Sequence, residues 1–253
     1  MSNALTSYID VAQVVLYVFW IFFFGLIYWL RMEDRREGYP LESDNPARVG
    51  PLNILIPSPK TFLLPEGGSV LAPNLVRDTR EISAKRTAAA AGSSSEPVGD
   101  PMLSGVGPAS YAERHDVVEL TRHGEDCIIP MRVAEGFSVM AGPDPRGFDV
   151  VATDGKVAGT VKEIWVDRAD VCVRYLEVEL GEGAGVRLVP MPMALVKRDT
   201  KTVEVYALRA EHFASVPTTK EADRITLLEE ERISAFYAGG RLYAEPKRLG
   251  PVV

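Results

Sequence analysis

The chain has 253 residues, with 28 Lys+Arg against 35 Asp+Glu and a formal charge of −7. That sign excludes a basic nucleic-acid surface and a domain lying broadly on anionic lipid. Its two cysteines, Cys127 and Cys172, are too far apart for a CxxC centre and too few for a disulfide framework, so both read as core or interface thiols.

Residues 11–30, VAQVVLYVFWIFFFGLIYWL, carry no charged side chain. At 1.5 Å per residue they span about 30 Å, the thickness of a bilayer's hydrocarbon core, and a soluble core helix rarely runs so long without a charge. A cleaved leader fits poorly, because Asp10 but no Lys or Arg precedes the run and no small-x-small site follows it. The Tyr28-Trp29 pair suits the headgroup layer. Arg31, Arg35 and Arg36 follow the span while no cation precedes it, which puts residues 1–10 in the periplasm and the remainder in the cytoplasm. The expectation is one transmembrane helix over 11–30, able to continue through RMEDRRE to residue 37, and a cytoplasmic part of net charge −6.

From Gly38 to about residue 110 the chain holds ten of its 18 prolines, which rules out long helices and central strands. Only NILI (53–56) and FLL (62–64) read as short strands. AKRTAAAAGSSSEPVGD (84–100) is small and polar enough to be mobile, and 84–99 is expected to be so. A segment this long without regular structure is uncommon inside a compact domain, and its recurrent apolar residues, Leu52, Ile54, Phe62, Leu63 and Val70 among them, favour an extended strap lying on another protein.

Residues 111–248 have a globular texture. Short strands are expected at IIPM (128–131), FSV (137–139), DVVA (149–152), VAGTVKEIWVD (157–167), VCVRYLEVEL (171–180), VRLVPM (186–191), ALVKR (194–198) and TVEVYAL (202–208). In the fifth of these, Leu176, Val178 and Leu180 face one way and Glu177 and Glu179 the other. Short strands at regular spacing suggest a small closed or nearly closed antiparallel barrel. Thr226 and Glu229 form a capping box, and Gly239-Gly240 supplies a stop, so one helix over about 227–238 is expected, followed by a tail at 249–253.

Catalytic signatures are missing from the sequence. His115, His123 and His212 lie in no HExxH pattern, no Cys/His set has zinc spacing, and neither Gly181–Gly185 nor Ala238-Gly239-Gly240 matches a phosphate loop. No serine sits in a GxSxG elbow. The chain therefore reads as a non-enzyme.

Blocks spread from one end to the other carry a family resemblance: YID (8–10), FFFGLIYWLR (22–31), REGYPLES (36–43), PKTFLLP (59–65), DPMLSGVGP (100–108), IPMRVA (129–134), GKVAGTVKEIWVD (155–167), RYLEVEL (174–180), VPTTKEADRITLLEEERI (216–233) and YAGGRLYAEPKR (237–248). In these the chain resembles the H subunit of the purple-bacterial photosynthetic reaction centre. The resemblance implies a single N-terminal transmembrane helix, an extended segment over the L and M subunits, and a mainly-β cytoplasmic domain with a PRC-barrel-like core and one C-terminal helix. It implies a structural subunit in the inner, intracytoplasmic (chromatophore) membrane that binds no cofactor itself, with bacteriochlorophyll, bacteriopheophytin, quinones and non-haem iron held by L and M. A cytochrome subunit, the light-harvesting antenna and membrane lipids are further candidate partners. A membrane-tethered PRC-barrel adapter recruiting a soluble partner is the alternative reading.

The resemblance further implies that the subunit helps protons reach the secondary quinone, a task that suits histidines and carboxylates of raised pKa. Asp170 stands where the family usually has an interior glutamate, and Asp167 matches an aspartate. His123 aligns with one histidine of a surface cluster, whereas Thr121 replaces that cluster's aspartate and Glu125 its second histidine. From the residues alone, Asp167 and Asp170 read as solvated turn residues beside Arg168; as a pair of neighbouring carboxylates they are expected to push one pKa upward.

Overall fold

A computed structural model describes residues 10–39, 55–65, 67–74, 81–89, 93–140 and 142–249. The expected periplasmic residues 1–9, most of the strap before residue 55, and residues 250–253 of the tail lie outside this set. The chain divides into two compact units, 1–80 and 81–253.

In the first unit, α1 (Val11–Glu33) exposes every side chain from Val11 to Leu30. Its aromatics pack along one another, with Phe19 over Phe23 at 5.7 Å and Trp20 over Phe24 at 5.7 Å. The helix ends at Glu33 instead of continuing to residue 37. Arg35 N donates to Met32 O and Arg36 N to Glu33 O, tightening the last turn, while the Arg36 side chain binds Glu33 Oε2 at 2.6 Å, Ser58 O at 3.0 Å and Ala72 O at 2.9 Å. Those carbonyls flank a hairpin of β1 (Lys60–Leu63) and β2 (Ser69–Ala72), which forms where FLL was expected and begins two residues earlier. The strand expected at NILI is not formed by Leu55, which lies in a turn, or by Ile56; Asn53 and Ile54 are outside the described residues.

The second unit opens with β3 (Ala84–Arg86) and β4 (Ser95–Pro97), antiparallel partners inside the stretch read as mobile. Its main sheet contains β5 (Ile128–Pro130), β6 (Asp149–Ala152), β7 (Val157–Asp167), β8 (Cys172–Leu180), β9 (Val186–Pro190), β10 (Ala194–Lys197) and β11 (Thr202–Val205). The hydrogen-bonded order is β10-β11-β6-β7-β8-β9. β8 follows one edge of β7, and the other edge is shared by β6 near Val157–Thr160 and β5 near Trp165–Asp167. Residues 137–139 form no strand.

Two features depart from a closed antiparallel barrel. β11 pairs with β6 in parallel, aligning Val203 with Val150 and Val205 with Ala152, and the end strands β10 and β9 do not pair with each other. The parallel register lets Val150, Val203 and Val205, all fully buried, enter one core with Trp165, Leu176, Val178 and Val189. Glu177 is a further departure, because it is buried, 6 % exposed, while Glu179 faces solvent. Its carboxylate accepts from Trp165 Nε1 at 2.8 Å and Arg132 Nη1 at 3.2 Å, partners that make burial tolerable.

The second helix, α2 (Leu227–Tyr243), starts on the expected capping box: Glu229 N donates to Thr226 Oγ1 and Thr226 N to Glu229 Oε2. It does not stop at Gly239-Gly240 but runs through them. Both glycines are buried, and a Cβ there would lie 2.9 Å from Ala109 Cβ and 2.4 Å from Leu208 Cδ2 respectively. They are contact positions, which is why a pair that ordinarily ends a helix sits inside one.

Candidate functional site

β7 ends at Asp167, which pairs across the sheet with Ile128 on one side and Cys172 on the other. A four-residue turn, Arg168–Val171, then leads into β8. Asp167 is 1 % exposed and all its contacts are donors: the N–H groups of Ala169 (2.9 Å) and Asp170 (3.0 Å) and the Cys127 thiol (3.3 Å) on Oδ1, and Arg174 Nε (3.0 Å) on Oδ2. Burial by itself would push this carboxyl up. The N–H of Asp170, the Cys127 thiol, the N–H of Ala169 and the Arg174 guanidinium outweigh it and hold Asp167 below the usual carboxylate range. Asp167 is therefore not the raised member of a carboxylate pair. Nor is it a solvated turn residue: it is the buried anchor of the turn. Burial, with Asp167 beside it, pushes the Cys127 thiol up to about 11, so it remains a donor at neutral pH. Asp170 is exposed, and its carboxylate lies 3.5 Å from Arg174 Nη2.

His123 and Glu125 occupy a tight turn just before β5. Thr121 closes it, donating its N–H to Glu125 O at 2.7 Å and accepting the N–H groups of His123 and Glu125 on its hydroxyl. Glu125 is ion-paired to Arg168, whose backbone N–H donates to Cys127 O at 2.9 Å. This joins Glu125 to the Asp167–Asp170 turn. His123 is exposed on the same loop, its Nε2 accepting from Arg122 Nε at 3.0 Å.

Two members of the candidate site, Tyr175 and Glu230, came from no sequence pattern. Tyr175, three residues beyond Cys172 on β8 from which Arg174 also extends, donates its hydroxyl to Glu230 Oε2 of α2 at 2.9 Å. Burial pushes Glu230 up; the Tyr175 hydrogen bond and Arg174 oppose this, and the charges of Glu119 and Asp167 reinforce it. Glu230 thus holds its proton to higher pH than an ordinary carboxylate. In the sequence it is the middle of Glu229-Glu230-Glu231, a run that reads as acids favouring a helix N-terminus.

A family model described as photosynthetic reaction centre, H-chain N-terminal region matches residues 3–133, and a model of the PRC-barrel domain matches residues 137–211. The chain belongs to the reaction-centre H-chain family. It is accordingly a reaction-centre subunit, of a structural kind that is not pigment-binding, and its apolar α1 and family together make it membrane-associated. The candidate site of this H chain draws on three stretches: His123, Glu125 and Cys127 from the N-terminal match, Asp167, Asp170 and Arg174 from the PRC-barrel match, and Glu230 from α2 beyond both. Asp167, Asp170 and Cys172 form a group whose ligand atoms lie within 4.8 Å of one another, but Arg174 already bridges the two carboxylates and supplies the positive charge a metal ion would bring.

Proposed function

We propose that this H chain caps the L and M subunits on the cytoplasmic side of the membrane and helps deliver protons to the secondary quinone, the pigments, quinones and non-haem iron residing in L and M. The observation that carries the reading is a set of three carboxylates: exposed Asp170 and buried Asp167, the latter held below the usual range, share Arg174, while half-buried Glu230, pushed up by burial, accepts from Tyr175, the next residue of β8. Proton passage needs groups that exchange protons within reach of one another, and surface Asp170 together with inward Glu230, which burial pushes up, are the carboxylates offered for that role. Asp167 serves as a fixed charge that orders the turn, Asp170 exchanges with water, Glu230 lies inward, and His123 with Glu125 forms the outer approach. Residues 38–110 act as the strap over the partners, and the chain has no catalytic site of its own. Purified without denaturation from its native membrane, the chain is expected to bring with it pigment absorbing in the near infrared; a colourless preparation would favour the membrane-tethered adapter instead.

The orientation follows from the flanking cations, Arg31, Arg35 and Arg36, on one side of α1 only. Protease added to inside-out vesicles is expected to digest the unit that begins at Glu81. Protection of that unit in such vesicles, with digestion in right-side-out ones, would reverse the topology.

A further inference from the structure

The β1–β2 hairpin carries apolar side chains on both faces, beside Lys60 on one and Thr61 and Ser69 on the other. Phe62 and Val70 pair on one face, Leu71 and Leu63 lie on the other, and Leu64 begins the turn; all five are exposed, Leu63 at 84 %. A two-stranded ribbon is marginal alone in water, and a flat protein surface laid on one face would leave the other uncovered. The position of this hairpin relative to α1 is fixed by charged contacts. Arg36 binds Glu33, Ser58 O and Ala72 O, and Lys60 Nζ binds Glu33 Oε1 at 2.9 Å, so the ribbon is held within one turn of the helix end. That level is where α1 leaves the hydrocarbon core, marked on the helix by Tyr28 and Trp29.

We infer that the hairpin is an interfacial lipid contact: Phe62, Leu63, Leu64, Val70 and Leu71 enter the headgroup and upper acyl layer of the leaflet from which α1 emerges. Fluid lipid covers both faces of a narrow ribbon at once. Among the described residues no strand pairs with the outer edges of β1 and β2; such edges exclude the dry hydrocarbon centre, where their N–H and C=O groups would find no partner, and fit the interface, where water and headgroups supply them. Charge adds little, because Arg31, Arg35, Arg36 and Lys60 are nearly balanced by Glu33, Asp34 and Glu37. The partner is thus phospholipid recognised through apolar insertion, without a requirement for anionic headgroups. The inference rests on α1 spanning the membrane; it takes residues 60–72 out of the strap proposed over the partners and is independent of which protein the rest of the strap touches.

The test is photolabelling of the intact complex in phosphatidylcholine nanodiscs that carry a diazirine near the glycerol end of the acyl chain, with adducts mapped by mass spectrometry. Adducts are expected on α1 and on residues 60–72. Leu63→Asp with Val70→Asp should lower the hairpin adducts by about tenfold or more while leaving those on α1, since charges insert poorly. Leu63→Ile with Val70→Ile should retain both. Labelling of α1 without any of residues 60–72, or hairpin labelling indifferent to the two aspartates, overturns the inference. Absence of label from α1 itself would instead overturn the membrane-spanning assignment.

Discussion

Gly240→Ala is expected to destabilise the unit formed by residues 81–253, against the direction that helix propensity alone gives. In an exposed helix the exchange would stabilise by about 1 kcal/mol, because alanine restricts the unfolded chain. Here the added methyl would stand 2.4 Å from Leu208 Cδ2 and 2.7 Å from Ala207 O, and the second of these is backbone that cannot swing aside. Leu208 is fully buried, so relief requires α2 to move off the core. Overpacking of this kind typically costs about 1–3 kcal/mol and more when backbone is the obstacle, so a net loss of about 2–3 kcal/mol is expected. For a unit of this size that corresponds to a fall in Tm of roughly 5–10 °C. Gly181→Ala is the control: its Cβ meets nothing within 4 Å and its φ is not in the left-handed region, so its Tm should change little. Thermal unfolding of the two variants followed by near-ultraviolet circular dichroism decides the matter, and a Gly240→Ala midpoint at or above wild type would mean that the contact is slack.

The same pair of glycines marks where sequence reading stops. A glycine pair near a helix end is locally a stop signal, and only Ala109, Ala207 and Leu208, well removed along the chain, reveal that it is a contact surface. Features governed by short-range rules were legible: the charge-free run of α1, the Thr226–Glu229 box, and the strands from Asp149 to Val205. Alternation carries no direction, however, so the parallel β6–β11 pairing could not be read from it. Glu177 alternates like a solvent-facing residue and is buried because Trp165 and Arg132 meet it from elsewhere. Of the site, the resemblance pointed to His123, Glu125, Asp167 and Asp170, but that Asp167 is the buried member, held low by the Asp170 N–H, the Cys127 thiol, the Ala169 N–H and Arg174, depends partly on a thiol forty residues upstream. Glu230 was hidden because one-dimensional spacing does not reveal that α2 passes beside Tyr175.

On the proposed route, Asp170→Asn is expected to slow the proton-coupled second electron transfer to the secondary quinone while leaving primary charge separation, which needs no proton, unchanged. A carrier must spend time in both protonation states. Asp167 is held below the usual carboxylate range by its donors and stays charged across the neutral range, so it cannot be that carrier; its replacement would free the Ala169 and Asp170 N–H groups and leave Arg174 short of a partner. Asp170 is exposed, and the isosteric amide keeps its shape without an exchangeable acid proton. General acid–base groups contribute about 10²–10⁴-fold where no substitute exists, and with neighbouring carboxylates to share the load a slowing of about tenfold is expected. His123→Ala with Glu125→Gln should cost less, since approach from water can be rerouted. Glu230→Gln is diagnostic through pH. Because burial and the charges of Glu119 and Asp167 raise its pKa, Glu230 loses its proton only as pH climbs above the ordinary carboxylate range, and the wild-type rate should fall over that interval. The amide removes this titration, so the variant's profile should be flatter there. Flash-induced quinol formation from pH 6 to 9 reads the first effect, and extending the profile down through the carboxylate range reads the second: a wild-type rate for Asp170→Asn throughout would return that residue to a solvated turn, and an unaltered profile for Glu230→Gln would restrict Glu230 to holding Tyr175 and α2 together.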